Sequence, residues 1–128
     1  MFEDRSVPSP DNILQLLENF RRSKIMFAAV KLGVFDSLQN SPQTSVDLSG
    51  RLQCDGDALA RLLNACVGLD LLVVCDGKYA NTAAANRYLT STSPHRMTGY
   101  INYSNDVMWK MWGNLEGAIR EGTHRWKE

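Results

Sequence analysis

Ile13, Leu16, Leu17, Phe20 and Phe27 recur at helical spacing near the start of the chain. Ser9-Pro10-Asp11 supplies the beginning of that helix. Ser9 can cap, Pro10 suits the first turn, and Asp11 favours the positive end of the helix dipole. The helix is expected to run to about Leu32 and to stop at Gly33, a residue that takes the left-handed conformation without penalty. Its second half carries six apolar residues in a row, 25–30, more than one full turn. A helix that is apolar all round needs cover on every side, either from several helices of its own chain or from a second subunit.

The next stretch predicts smaller elements. Residues 34–38 read as a short helical continuation and 40–42 as a loop. Thr44-Ser45-Val46-Asp47 starts a second helix, the cap residue being answered by an acid three places on; it ends near 50–52. After Cys54-Asp55-Gly56-Asp57 a third helix places Leu59, Leu62, Leu63 and Cys66 on one face and ends close to Gly68. Leu71-Leu72-Val73-Val74-Cys75 is β-prone, Asp76-Gly77 is a turn signal, and Lys78-Tyr79-Ala80 returns. Two helices with a short joint and a hairpin make a winged helix-turn-helix, so the predicted class is mainly α with a small β-hairpin.

A single long helix is predicted over 94–121, with Gly122 as its stop. Met97, Ile101, Met108, Met111, Trp112, Leu115 and Ile119 share one stripe, which Tyr100, Val107 and Ala118 widen. Trp109 falls off the centre of that stripe, among Asn102, Asn105 and Glu116. It is either an exposed aromatic or an anchor or pocket wall in another polypeptide.

Composition narrows the function. At 128 residues and 14.4 kDa the chain holds one domain, and 44% apolar with 22% charged residues is ordinary for a globular core. Fourteen basic side chains balance fourteen acidic ones, so no overall field draws the protein to nucleic acid or to an anionic membrane. The usual role of a winged helix is to bind DNA, and here the local charges oppose it. Between Thr44 and Thr82, Asp47, Asp55, Asp57, Asp70 and Asp76 outweigh Arg51, Arg61 and Lys78, and Asp55 and Asp57 open the would-be recognition helix. Arg21, Arg22, Lys24 and Lys31 on the first helix read as a solvated face.

The longest apolar run is too short to span a bilayer, and Met1-Phe2-Glu3-Asp4 is not followed by the apolar stretch of a signal peptide. Cys54, Cys66 and Cys75 are odd in number and lack Cys-x-x-Cys spacing, which points to a reduced, cytoplasmic protein without a zinc site. There is no G-x-G-x-x-G, phosphate loop or H-E-x-x-H, and His95 and His124 have no partner by spacing. No catalytic, cofactor-binding or metal-binding residue is assigned, and the methionines read as core filler.

Several of these pieces, in this order, resemble one family. Phe27-Ala28-Ala29-Val30-Lys31-Leu32-Gly33-Val34-Phe35-Asp36 looks like the first-helix signature of small-molecule O-methyltransferases that use S-adenosylmethionine. Arg61-Leu62-Leu63-Asn64-Ala65-Cys66, followed by Leu69-Asp70-Leu71-Leu72, is similar to that family's winged-helix segment. Asn81-Thr82 before Tyr88-Leu89, then Trp112-Gly113 before Ala118-Ile119-Arg120-Glu121-Gly122, complete the pattern. Within the family the chain is similar to the acetylserotonin O-methyltransferase and acetylserotonin O-methyltransferase-like group, over about residues 10–122.

Residues 1–8 read as a short disordered lead, and the resemblance implies a helical dimerisation domain at 9–122. It implies that 123–128 begin a linker to a cofactor-binding domain that this chain lacks. The first and last helices would intertwine with those of a second subunit, through Leu16, Phe20, Met26, Phe27, Val30, Met108 and Trp112. Trp109 would reach into the partner's substrate pocket, with Phe20 as a second contributor; a Trp where relatives carry a smaller ring implies a different acceptor. The full-length enzyme would pass a methyl group from S-adenosylmethionine to a hydroxyl of a small aromatic acceptor, while this chain alone would be inert. Some relatives carry a pyrophosphatase-like module ahead of this region. Two other readings stay open: a free-standing dimerisation module that pairs with a full-length methyltransferase and lowers its activity, and a winged-helix DNA-binding protein.

Overall fold

The computed structural model describes residues 7–122. Of the expected lead at 1–8 only residues 7 and 8 are described, and 123–128 lie outside the described residues. Helix α1 spans Asp11–Leu32. Pro10 takes the cap position, one place later than expected, and Ser9 Oγ accepts the Asp11 N–H at 3.2 Å. Gly33 ends α1 at φ 87°, in the left-handed region, and turns the chain directly into α2, Val34–Ser37. Only the last third of α1 is packed: Ala29 is fully buried, whereas residues 11–24 are all exposed.

The centre follows local chemistry closely. Thr44 Oγ1 accepts the Asp47 N–H at 3.1 Å and caps α3, Ser45–Leu52. Asp55 accepts the Ala58 N–H at 2.9 Å and caps α4, Gly56–Gly68, so the acid that opens this helix serves the helix itself. Leu59, Leu63 and Cys66 of α4 are buried against Leu48, Val34, Phe35 and Leu72. A leucine so enclosed contributes about 1.5–3 kcal/mol of transfer free energy.

Strands β2, Leu72–Cys75, and β3, Lys78–Asn81, pair antiparallel with Cys75 opposite Lys78. The two-residue connection has positive φ at both places, Asp76 at 51° and Gly77 at 75°, as a primed hairpin turn requires. A two-residue strand β1, Gln43–Thr44, adds to the other side of β3 and gives the order β1-β3-β2. Tyr79 ties the sheet to α4 by donating to Asn64 Oδ1 at 2.6 Å, and Asn81 Nδ2 donates to the Phe35 carbonyl at 2.9 Å. The fold is mainly α with one small antiparallel sheet, as the pattern predicts.

Two elements escape the pattern. One is β1, too short to alternate. The other is α5, Ala83–Tyr88, which Thr82 caps by accepting the Ala85 N–H while donating to the Leu71 carbonyl at 3.1 Å.

The long C-terminal helix needs correction. It begins at Thr98 rather than 94, because Ser93 takes the His95 N–H on its hydroxyl and the Arg96 N–H on its carbonyl, holding a turn. It is also not one helix. Helix α6, Thr98–Tyr103, passes into a π-helical turn at Ser104–Met108, then α7, Trp109–Trp112. Gly113-Asn114 separates that from α8, Leu115–Glu121, which Gly122 ends at φ 73°. An i→i+5 turn accommodates an extra residue, so a uniform α-helical projection loses phase there. The predicted stripe accordingly splits: Ile101 is buried, while Trp112, Leu115 and Ile119 are exposed. Among the described residues no helix is long and apolar enough to cross a membrane.

Candidate functional site

Phe20, Lys24 and Phe27 follow one another at i, i+4 and i+7 on α1 and therefore share a face. Trp109, the first residue after the π-turn, lies across that face. Its ring centroid is 6.3 Å from Phe20 and 6.2 Å from Phe27, and Lys24 Nζ lies 5.1 Å from it. Trp109 thus faces α1 together with Asn105 of the expected polar flank, since Lys24 meets both, and it is half-buried in its own chain.

A groove of about 610 Å³ opens beside this cluster. Phe20, Phe27, Tyr100, Met108, Trp109 and Trp112 form its walls, and Asn19, Ser23 and Ser104 contribute polar groups. A second apolar groove of about 410 Å³, reaching Met26, Tyr88 and Met97, shares Phe27, Tyr100 and Ser104 with the first. Such a concave, mostly aromatic surface with few polar groups suits a flat apolar ligand or another helix.

The residues singled out by sequence differ both in place and in burial. Phe20, Phe27, Met108, Trp109 and Trp112 come together at the groove. Met26, Phe27 and Val30 pack against the core and are half-buried, whereas Leu16, Phe20 and Trp112 are 62%, 56% and 63% exposed. Ile13, Leu14 and Leu17 are exposed beside them on the same arm. Sequence reasoning missed Tyr100 as a wall, and it missed the lysines. Lys24 Nζ donates to Asn105 Oδ1, and Lys31 Nζ forms an ion pair with Asp106 Oδ1 at 2.6 Å. The only signal available was the seven-residue spacing of Lys24 and Lys31 beneath two consecutive polar residues far along the chain.

Titratable chemistry is sparse. Burial pushes the Cys66 thiol up to about 11, which keeps it protonated and unreactive at neutral pH. Cys54, Cys66 and Cys75 are all free. The backbone N–H of His95 donates to Ser93 Oγ, and His124 lies outside the described residues. No cluster of three or more His, Cys, Asp or Glu able to hold a metal occurs among the described residues.

Known proteins share this fold. A family profile described as the O-methyltransferase dimerisation domain matches residues 14–91. A human protein named "Probable bifunctional dTTP/UTP pyrophosphatase/methyltransferase protein" is 38% identical over 119 residues, covering 92% of this chain and 19% of that protein. Acetylserotonin O-methyltransferase of Gallus gallus is 39% identical over 124 residues, covering 92% of this chain and 36% of the enzyme. The crystal structure of human N-acetylserotonin methyltransferase in complex with SAM superposes with a TM-score of 0.82 at 31% identity, over 93% of this chain and 36% of that one. The chain thus spans between about a fifth and two fifths of the length of these relatives. With the profile covering most of the packed core, this chain belongs to the O-methyltransferase dimerisation-domain family.

Proposed function

We propose that the chain is the dimerisation and substrate-pocket domain of an acetylserotonin-type O-methyltransferase. The observation that carries this reading is the uncovered arm of α1, where Leu16, Leu17 and Phe20 stand in water beside an aromatic groove. Exposed apolar residues contiguous over this length mark an interaction surface. In this reading the cover is a second subunit, and α1 with the C-terminal helices forms the interface through Leu16, Phe20, Met26, Phe27, Val30, Met108 and Trp112. Trp109, with Phe20, walls the pocket for a small aromatic acceptor across the interface. We take α3, α4 and the hairpin as a winged helix that serves as a scaffold. The unpaired cysteines favour a reducing, cytoplasmic setting.

The complete enzyme would transfer the sulfonium methyl of S-adenosylmethionine to an acceptor hydroxyl. That displacement needs an aligned oxygen and a base, and neither is assigned to this chain. Sedimentation analysis of the chain tests the interface. A dimer is expected, and a stable monomer at high concentration overturns the reading.

A further inference from the structure

We infer that Lys24 and Lys31 are positioning residues for Trp109, acting through the π-turn that precedes it. The two lysines lie two turns apart on α1 and face the same way. Lys31 Nζ meets Asp106 Oδ1 at 2.6 Å and Lys24 Nζ meets Asn105 Oδ1 at 2.5 Å, so α1 grips two consecutive residues of the turn. Lys24 also stands over the indole itself.

A π-turn inside a helical segment has an obvious competitor, the same residues wound as α-helix. That winding would rotate Trp109 about the helix axis and take its ring off Phe20 and Phe27. Contacts that hold the turn in its observed winding decide between the two. The lysine pairs span 81 and 75 residues of sequence, so they report the docking of one helix on another and not a local preference. They are half-exposed, 55% and 47% at the Lys31–Asp106 pair, which makes them too weak to hold the fold together. A contact this weak still biases two windings where they lie close in energy. Where Trp109 walls an acceptor pocket, as proposed above, the lysines thereby set the shape of that wall; this consequence rests on that reading, whereas the positioning itself does not.

The test uses the 128-residue chain labelled with 5-fluorotryptophan, with the Trp109 fluorine resonance assigned by Trp109→Phe. Lys24 touches the ring, so the deciding variants are Lys31→Met and Asp106→Asn, and Arg51→Met on α3 is the control. Both deciding variants should shift or broaden the Trp109 resonance, Lys31→Arg should restore it, and the control should leave it alone. Salt at about 1 M, where the Debye length is about 3 Å, should move the wild-type resonance in the same direction and leave Asp106→Asn nearly unchanged. A Trp109 resonance unmoved by both variants and by salt overturns the inference, as does an equal shift in the control. The readout needs no acceptor and no second domain, so it can fail while the proposed function stands, and the reverse.

Discussion

Phe27 and Trp109 meet edge to face, with centroids 6.2 Å apart and planes at 81°. This arrangement sets the positive edge of one ring against the negative face of the other and is worth about 0.5–1.5 kcal/mol beyond the area buried. It joins the packed end of α1 to the start of α7, next to a segment otherwise fastened by exposed polar contacts. Phe27→Ala should therefore cost about 2 kcal/mol, less than a fully enclosed phenylalanine because Phe27 is only half-buried. Urea denaturation followed by circular dichroism measures it, and the near-ultraviolet aromatic signal should weaken in the folded variant.

Leu16 offers the opposite case, a large apolar side chain that its own domain leaves 62% exposed. Leu16→Asp should leave the monomer's thermal stability within about 0.5 kcal/mol of wild type. It should nevertheless raise the dimer dissociation constant at least about tenfold, equivalent to about 1.4 kcal/mol. Sedimentation at a series of concentrations reads both species.

If Trp109 walls the acceptor pocket as proposed, Trp109→Ala in a full-length acetylserotonin-type O-methyltransferase carrying this domain should raise the acceptor's KM about tenfold and change kcat less. Trp109→Phe, which keeps an aromatic face, should recover part of the loss. Initial-rate kinetics with the acceptor varied would show an unchanged KM if the ring lies outside the pocket.

The cysteines give a prediction independent of assembly. In native protein Cys75, exposed at the end of β2, should react with a thiol reagent first, and buried Cys66 only after unfolding. The same burial ties Cys66 to stability. Its folded pKa of about 11 exceeds the ordinary thiol value of 9.0, so its contribution is intact below about 9.0. Above that pH the unfolded chain ionises first, and the contribution is lost as pH rises towards 11. Denaturation midpoints across that range should fall more steeply for wild type than for Cys66→Ala.

What was legible in the sequence is what a few neighbouring residues decide among themselves. Thr44, Asp55 and Gly33 end or begin helices through bonds that reach three or four places, and Asp76-Gly77 closes its hairpin by its own φ preferences. The C-terminal segment was illegible in part for the opposite reason. Nothing within 104–108 announces an i→i+5 turn; its partners are Lys24 and Lys31, some eighty places earlier. A periodic projection assumes one winding throughout; it put the stripe in register as far as Ile101 and Trp109 beside Asn105, but it did not show that this flank packs on α1. Resemblance named Phe20 and Trp109 without that projection, and the structure brings the two rings to the same groove.

The bare arm of α1 has a consequence for how the chain becomes ordered. Residues 11–24 are rooted in a packed segment, Ile25 to Val30, that has already met the cost of nucleating the helix. Beyond Phe20, which still meets Trp109, propagation outwards adds one hydrogen bond per residue and little burial, so the arm should fray from its tip and shed amide protection step by step towards Asp11. Whatever covers Leu16 and Phe20 then acts first on that fraying. Association and the last three turns of helix formation become one equilibrium, and the length of ordered α1 depends on protein concentration.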